Sequence, residues 1–280
     1  MNVLTFDLEE WIVYNYFDKG GKAYFLPIIN NYLCEILDLL DRFNHKATFF
    51  CLGQLAKEYP DVIKKIIGRG HDIGCHSNTH CLVTKMNRDT FYKDTLSALH
   101  RLEDVSGRKI LSYRAPAFSI TQHNMWAFEA LINLGIIYDS SLFPASRSGG
   151  GFPTLSVCQP FILSFKKKEL KEFPVNIINI MGKKIAFSGG GYFRLFPYYF
   201  IKKWTKESSY TMAYFHIRDF DRKQKVVRSL RYFKSYYGIK NALEKFKLYL
   251  ADFEFLTLEQ ANQLIDWRDV RTVILKPYVK

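Results

Sequence analysis

Residues 47–75 read ATFFCLGQLAKEYPDVIKKIIGRGHDIGC, and this stretch decides the fold class. Ala47–Cys51 is a short apolar run rich in aromatic residues, which predicts a buried strand. Apolar residues recur at helical spacing over Leu55–Ile67, and the Gly-Arg-Gly that follows is a typical stop signal for a helix. His71–Cys75 predicts a second strand. This order of strand, helix and strand predicts a right-handed crossover between two parallel strands.

The same alternation extends to both sides of this unit. Further strands are predicted at Val3–Asp7, Ile110–Tyr113, Ile136–Tyr138, Met212–His216 and Phe253–Leu256. Further helices are predicted at Ile28–Phe43, Asp89–Asp104, Asn124–Leu134, Lys223–Leu250 and Thr257–Ile265. About seven such strands favour an α/β fold of the distorted parallel (β/α)7-barrel type over an open doubly wound sheet, because the glycine fingerprint of a nucleotide-binding sheet is missing.

The domain organisation follows from length and pattern. The chain has 280 residues, 48% of them hydrophobic, which is enough for one core, so we expect a single domain over residues 1–280. A basic helical segment at about residues 222–266 should pack on the barrel. Residues Phe143–Tyr192 break the alternating pattern, and their two glycine runs, Gly149–Gly151 and Gly189–Gly191, predict loops and turns.

Charge and cysteine content limit the partners and the compartment. The net charge of +13 favours anionic partners, either phosphate-bearing substrates or an anionic membrane surface. We expect no nucleic-acid binding, since no helix-turn-helix, zinc-finger or RNA-binding signature accompanies the charge. The sequence has no signal peptide pattern or membrane span, and its five cysteines are odd in number. These features predict reduced thiols and a cytoplasmic protein, with the inner face of the membrane as a further location.

Two carboxylates stand at the end of the first predicted strand, in the sequence Thr5-Phe6-Asp7-Leu8-Glu9. Side chains alternate along a strand, so Asp7 and Glu9 share one face. Two carboxylates on one face repel each other unless a cation or an arginine compensates them. The pair therefore indicates either a charge-compensated site or, as the plainer alternative, a solvated surface pair.

Two histidines follow the strand His71–Cys75. His76 and His80 would fall on one face if this segment forms a helical turn, at a separation suited to gripping one metal ion. Histidine pairs at this spacing also arise by chance, but here the pair lies directly at a strand end. Two histidines plus one carboxylate, with open coordination positions, is a catalytic rather than a structural metal pattern. Arg114 ends another strand, where it could neutralise a carboxylate.

These residues together resemble the polysaccharide deacetylases of the NodB-homology class, carbohydrate esterase family 4, over about residues 2–265. The matching motifs occur in the order Thr5-Phe6-Asp7, Gly70–His80, Arg114-Ala115-Pro116 and Tyr214-Phe215-His216. A subgroup from polysaccharide biosynthesis loci is similar in three further segments, Tyr138–Ser141, Glu172–Val175 and Ser188–Arg194.

The resemblance implies a role for each matched position. Asp7 matches the catalytic base, Arg114 the residue that holds the base, and His216 the general acid. Asp139 matches the carboxylate that orients the acid histidine. His76 and His80 match metal ligands. Leu8 stands where the family has its second aspartate, so the third ligand is expected to be Glu9, with Glu10 as the alternative.

The implied activity is removal of N-acetyl groups from an amino sugar of a surface polysaccharide or its precursor, which would be nucleotide-linked, lipid-linked or polymeric. The implied cofactor is a divalent metal, with Zn²⁺ as the first candidate. Trp11, Tyr192 and Arg194 are candidate substrate-binding residues, although core packing explains such aromatic residues equally well. Two alternatives remain. The protein could be an amidase of the same fold acting on a small cyclic amide or ureide, or a catalytically degenerate relative that binds glycans.

Overall fold

The structure is a computed structural model that describes residues 1–9, 29–147, 149–223 and 236–275. Three sequence predictions lie outside these ranges. They are the substrate-binding role of Trp11, the alternative ligand Glu10, and residues 224–235 of the predicted basic helix. None of the helices in the described ranges is long and apolar enough to cross a lipid bilayer.

Strands and helices alternate along most of the described chain. The strands are β1 (Asn2–Leu8), β2 (Thr48–Cys51), β3 (Asp72–Cys75), β4 (Ser112–Tyr113), β5 (Tyr138–Asp139), β6 (Phe161–Phe165), β7 (Lys168–Glu172), β8 (Ile178–Ile180), β9 (Lys183–Ile185), β10 (Thr211–His216) and β11 (Thr272–Ile274). The α-helices are α1 (Cys34–Arg42), α2 (Gly53–Glu58), α3 (Pro60–Gly68), α4 (Arg88–Ser106), α5 (Trp126–Asn133), α6 (Gly190–Leu195), α7 (Tyr198–Glu207), α8 (Ile239–Asp252) and α9 (Leu258–Leu264).

The sheet that carries the site contains seven neighbouring parallel strands. Their order is β10-β1-β2-β3-β4-β5-β7, and each strand pairs with its neighbour in parallel. β6 adds to this set antiparallel to β7, and β11 lies parallel to β6 at the edge. Parallel strands joined by helices carry their functional residues at the carboxyl ends, where strands pass into loops.

Polar side chains bridge the two ends of the seven-strand set. Asn176 follows β7 and accepts a hydrogen bond from the backbone N–H of Met212 on β10 at 2.9 Å. The hydroxyl of Ser188 donates to the backbone carbonyl of Met212 at 2.8 Å. Tyr210 donates to the carbonyl of Pro174 at 3.0 Å. The distortion of the predicted barrel therefore lies at this seam, where side-chain hydrogen bonds rather than a regular strand ladder join β7 to β10.

The two faces of the sheet pack differently. Leu4, Phe6 and Leu8 of β1 join the larger core, which contains the helices. Val3 lies on the opposite face and joins a smaller core with Met212 and residues of neighbouring strands. Because side chains alternate along a strand, Thr5 and Asp7 share the face of Val3. The carboxylate of Asp7 on β1 therefore lies on the face of the sheet opposite the larger core with its helices.

The structure differs from the sequence predictions in several elements. The predicted helix Leu55–Ile67 is two helices, α2 and α3, because Pro60 begins a new helix at its first position. No strand was predicted within Phe143–Tyr192, where β6 to β9 lie as two hairpins. The predicted strand Phe253–Leu256 is reduced to an isolated bridge between Leu256 and Val3.

Candidate active site

The carboxyl ends of β1 and β10 bring two predicted catalytic residues together. The parallel register pairs Asp7 of β1 with His216 of β10 on one side and with Phe50 of β2 on the other. His76 and Arg114 directly follow β3 and β4, so their side chains arise at the same end of the sheet. The site is therefore assembled by strand pairing between distant parts of the chain.

Glu9, His76 and His80 form a group of metal-ligand type. One ligand atom from each residue lies within 4.8 Å of the other two. Oε2 of Glu9 lies 3.3 Å from Nε2 of His76 and forms a closer contact with Nε2 of His80. Glu9 and His76 are buried, and His80 is half-buried. Among the described residues, these three are the histidine, cysteine, aspartate or glutamate side chains that lie close enough together, in a group of at least three, to hold one metal ion.

The two histidines do not converge through a helical turn, so that part of the sequence prediction is wrong. Ser77 and His80 both adopt left-handed backbone conformations, with φ of 70° and 60°. The hydroxyl of Ser77 accepts a hydrogen bond from the backbone N–H of His80 at 2.9 Å, which fixes the loop. A tight loop with two left-handed residues thus aims both imidazoles at Glu9.

The surroundings of the group suit a divalent cation. Nδ1 of His76 lies 2.8 Å from the backbone carbonyl of Arg114. A hydrogen bond there places the proton on Nδ1 and leaves Nε2 as a lone-pair donor toward Glu9, which is the usual arrangement behind a metal-bound histidine. Two imidazole nitrogens and one carboxylate are donors that Zn²⁺ accepts, with coordination positions left over for other ligands. The residues therefore fit the cofactor that the resemblance implied.

Arg114 holds Asp7 in a buried ion pair. Nη1 of Arg114 lies 2.8 Å from Oδ1 of Asp7, and the two residues are 0% and 3% exposed. The same guanidinium donates to the hydroxyls of Thr5 and Ser140, each at 2.9 Å, and stacks 4.3 Å from the ring centroid of Phe50. With so many fixed contacts, Arg114 can hold only one orientation, and it fixes that of Asp7.

The electrostatic surroundings keep both carboxylates of the first strand ionised. Burial alone would raise the pKa of Asp7, but the charges of Arg114, His76 and His216 together outweigh it and lower the pKa. Burial likewise opposes ionisation of Glu9, and the neighbouring His80 and His216 overcome it, so the pKa of Glu9 lies well below its ordinary value. An ionised Asp7 can accept a proton, and an ionised Glu9 can bind a cation.

His216 faces the metal-ligand group. Its Nε2 lies 3.1 Å from Oε1 of Glu9. Its Nδ1 lies 3.4 Å from Oδ2 of Asp219, and the same oxygen accepts the backbone N–H of His216 at 2.9 Å. Asp219 is therefore the carboxylate that orients this ring. Its signal in the sequence is the spacing His-x-x-Asp at a strand end, which allows a local cap of this kind.

The prediction that Asp139 orients His216 is accordingly corrected. The carboxylate of Asp139 accepts hydrogen bonds from the backbone N–H and the hydroxyl of Ser141, at 3.0 and 2.7 Å. Ser141 in turn accepts the N–H of Ala115 at 2.8 Å. Asp139 thus supports the loop that carries Arg114. Burial raises the pKa of Asp139, and burial together with the neighbouring Asp139 carboxylate raises the pKa of Glu172 well above its ordinary value.

The predicted substrate-binding residues have different environments. Arg194 is 6% exposed and forms an ion pair with Asp219, and its substrate-binding role stays a prediction. Tyr192 is 41% exposed on α6, with its ring stacked 6.2 Å from that of Phe196, and its role stays a prediction. Sequence reasoning also missed Arg218, whose Nη2 lies 3.2 Å from Oε1 of Glu9.

Fold and site together define an α/β protein with a carboxylate–bis-histidine centre at the carboxyl ends of parallel strands. Residues 6–134 match a family model described as polysaccharide deacetylase, so this part of the chain is similar to that family. Residues 140–263 match a second model, described as a domain of unknown function (DUF3473).

A curated relative supports the first match. The chain is 33% identical to a peptidoglycan-N-acetylglucosamine deacetylase of Bacillus cereus over 114 residues. The aligned segment covers 40% of this chain and 39% of the relative, so well under two thirds of the relative is represented.

Solved structures extend the fold likeness to nearly the whole chain. A crystal structure assigned to a polysaccharide deacetylase of Mycobacterium smegmatis superposes with a TM-score of 0.68 at 21% identity, covering 99% of this chain and 94% of that one. The crystal structure of Puue allantoinase gives a TM-score of 0.65 at 14% identity, covering 94% and 88%. At these identities the likeness concerns the fold alone, and it confirms the predicted barrel type.

Proposed function

We propose that this protein is a metal-dependent hydrolase that removes N-acetyl groups from an amino sugar of a surface polysaccharide or its precursor, releasing acetate. One observation carries the proposal. The metal-ligand group of Glu9, His76 and His80 lies beside the Asp7–Arg114 pair, with His216 facing it. Amide hydrolysis needs a base for water, an acid for the leaving nitrogen and an electrophile for the carbonyl, and this arrangement can supply all three.

Asp7 is the base in this proposal. Arg114 binds Oδ1, which leaves Oδ2 as the oxygen that takes a proton from the attacking water. The ionised state that the base needs is favoured by the lowered pKa of Asp7. The burial of both residues keeps bulk water away from the pair, so Asp7 takes its proton from the water held in the site.

His216 is the acid. Its Nε2 points toward Glu9 and the ligand group, while Nδ1 and the backbone N–H face Asp219. An amide nitrogen leaves poorly without a proton, and a proton from Nε2 would let the amine depart as the acetyl carbon–nitrogen bond breaks. Water supplies the hydroxyl of the acetate, and its proton, held by Asp7, balances the one that His216 gives to the amine.

Glu9, His76 and His80 would hold the divalent ion, for which we propose Zn²⁺. When bound, such an ion acidifies water and polarises the acetyl carbonyl. The donor set of two imidazoles and one carboxylate supports zinc over magnesium or calcium, which prefer oxygen ligands.

We further propose that both matched segments form one catalytic domain. Asp7, Glu9, His76 and Arg114 come from the segment 6–134, and His216 comes from the segment 140–263. Contacts of Glu9 with both His76 and His216 support this assignment, because the site is incomplete without either segment.

For the substrate we propose a nucleotide-linked or lipid-linked sugar, met in the cytoplasm at the inner face of the membrane. The net charge of +13 favours phosphate-bearing groups and anionic lipid headgroups. On α7, Tyr199 and Phe200 are 71% and 42% exposed, and Lys203 and Lys206 are exposed beside them. Aromatic and lysine side chains together suit a membrane–water interface. All five cysteines are free thiols, which supports a reducing compartment.

The test is acetate release from a panel of N-acetylated sugar nucleotides, lipid-linked sugars and oligosaccharides, with and without added Zn²⁺. We expect Asp7→Asn and His216→Ala to lower turnover by at least roughly 100-fold with the fold intact. His100→Ala, at an exposed histidine of α4, is the matched control and should match the wild type.

Other outcomes would contradict the proposal. Zinc-loaded wild type that releases no acetate from any sugar, but opens a cyclic ureide, would favour the amidase alternative. Failure to retain any divalent ion, together with binding of glycans without turnover, would favour a degenerate relative. Full turnover in Asp7→Asn would remove Asp7 from the scheme.

A further inference from the structure

A buried ion pair lies directly behind His216. Arg194, near the end of α6, hydrogen-bonds through Nη1 to Oδ1 of Asp219, in the 3₁₀ turn Ile217–Phe220 that follows β10. The two side chains are only 5% and 6% exposed. Nε of Arg194 also donates to the backbone carbonyl of Tyr237 at 3.3 Å. The guanidinium is thus held between two parts of the chain distant in sequence.

The two oxygens of Asp219 divide their partners. Oδ1 is bound by Arg194, whereas Oδ2 accepts the backbone N–H of His216 and lies beside Nδ1 of its ring. Nε2 of that ring then points at Glu9. A continuous chain of contacts therefore runs from α6 through Asp219 to the imidazole nitrogen that faces the ligand group.

The helix that carries Arg194 is itself fixed at both ends. A Cβ at Gly189, the residue before α6, would lie 2.3 Å from the backbone oxygen of Tyr214, so only glycine allows this close approach. Beyond the other end, Nζ of Lys245 donates to the carbonyls of Arg194 and Phe196, at 3.0 and 2.6 Å. Burial lowers the pKa of Arg194 only to about 10, so it stays charged at neutral pH.

We propose that Arg194 is a positioning residue for the general acid, acting through Asp219 on the orientation of His216. The inference rests on the acid role of His216 proposed above. Without Arg194, the Asp219 carboxylate would be a buried charge lacking its counter-ion, and it would turn or take up a proton to relieve that cost. Either change releases the imidazole, and a misplacement of about 1 Å can cost roughly 100-fold in rate.

A role in positioning the acid can be separated from a general structural role by changing the leaving group. An amide nitrogen must be protonated to leave, so its hydrolysis needs a correctly placed acid. The phenolate of p-nitrophenyl acetate leaves without a proton. Loss of Arg194 should therefore impair N-acetyl hydrolysis and spare the ester, whereas a distorted site or a lost metal would impair both reactions.

The experiment compares Arg194→Gln, Arg194→Lys and Arg194→Gln/Asp219→Asn with wild type, on the best N-acetylated sugar and on p-nitrophenyl acetate. The double variant replaces the ion pair with two neutral amides, which keeps the fold testable if the single variant is unstable. Zinc content and thermal unfolding are measured for each protein. Arg69→Gln is the matched control, since Arg69 forms ion pairs with Asp38 and Asp41 at the surface of α1.

We expect Arg194→Gln to lose roughly 100-fold in kcat on the amide, with KM and zinc content near those of wild type. Its ester activity should stay within about threefold of wild type. Arg194→Lys should recover part of the amide activity, and adding Arg194→Gln to His216→Ala should cause no further loss. Equal losses on amide and ester, or additive losses in the combined variant, would overturn the inference. A wild type inactive on both substrates would instead reject the proposed hydrolase function.

Discussion

The ion pair between Arg114 and Asp7 makes a sharp prediction about stability. The substitution Arg114→Met keeps an unbranched apolar stem but leaves the Asp7 carboxylate, 3% exposed, without its counter-ion. Removing one partner of a buried pair costs about 3–5 kcal/mol of unfolding free energy. The lost hydrogen bonds to Thr5 and Ser140 place the expected cost in the upper part of this range.

Changing the other partner of the pair, by Asp7→Asn, should lower the free energy of unfolding less, by about 1–3 kcal/mol. Arg114 then still donates to Thr5 and Ser140 and still stacks on Phe50, so its charge remains partly satisfied. The double variant Asp7→Asn/Arg114→Met contains neither buried charge. We therefore expect it to be more stable than Arg114→Met alone, with a coupling energy of about 2 kcal/mol or more.

Wild type, the two single variants and the double variant form a double-mutant cycle. Urea unfolding of the four metal-free proteins, followed by circular dichroism, measures their free energies of unfolding. pH adds an independent check. Arg114→Met removes the largest of the charges that offset burial, so the pKa of Asp7 rises and the carboxyl takes up a proton as the pH falls. The deficit relative to wild type should shrink in acid, because wild type loses the stabilisation that comes from its lowered pKa. A cost for Arg114→Met below about 1 kcal/mol, or strictly additive substitutions, would refute this account of the pair.

Two further predictions concern single side chains. His71 is buried, its Nδ1 accepts the N–H of Ala47, and burial lowers its pKa to about 4, so the folded state favours the neutral ring. The free energy of unfolding should therefore be about 2 kcal/mol lower at pH 5 than above the unfolded pKa of about 6.5. Thermal unfolding of His71→Gln, measured against pH, should lack this part of the pH dependence. Gly189→Ala should displace α6 from Tyr214 and lower turnover of the amide substrate, as loss of Arg194 does. Gly68→Ala is the control, since a Cβ there meets open space, and it should leave kcat and the melting temperature unchanged. Equal effects of the two variants would contradict the argument that α6 and Tyr214 approach too closely for a side chain at position 189.

The elements that the sequence predicted well are those with strong local signals. The strand–helix–strand unit over residues 47–75 combined apolar runs with glycine stop signals, and the structure contains β2, two helices and β3 there. The last helix begins with an equally local signal, a capping box between Thr257 and Gln260. Such patterns are visible because the residues that decide them lie within a few positions of each other.

The two missed hairpins show where local signals fail. The turn between β6 and β7 is Lys166-Lys167, with φ of 51° and 63° at the two residues. Turns of this hand usually contain asparagine or glycine, so two lysines gave no indication of a hairpin. The turn between β8 and β9 is Met181-Gly182, again without asparagine and within a region that read as loops. Pairing with β5 compensates for the poor turn residues between β6 and β7.

The sequence indicated His216 as the proposed acid, but it did not predict the contacts that orient its ring. The motif Tyr214-Phe215-His216 indicated His216, but it did not show which carboxylate orients the imidazole. The candidates are Asp139, which is distant in sequence, and Asp219, which is three residues away. Asp139 had the motif in its favour, but its carboxylate is engaged by Ser141 behind Arg114. Asp219 reaches the ring through a turn of three residues. Only the geometry of that turn decides between the two candidates.

The pairing of β1 with β10 explains why the segment of unknown function matters for the chemistry. The match to the deacetylase model covers the proposed base Asp7, its partner Arg114 and the metal-ligand group, and ends at residue 134. The proposed acid His216, Asp219 and Arg194 all lie beyond residue 140. The register that pairs Asp7 with His216 makes the two sets neighbours, and Glu9 contacts both. A substitution that weakens the β1–β10 ladder should therefore separate base from acid even if every functional side chain is retained, because no contact within either segment alone holds the two at the same end of the sheet.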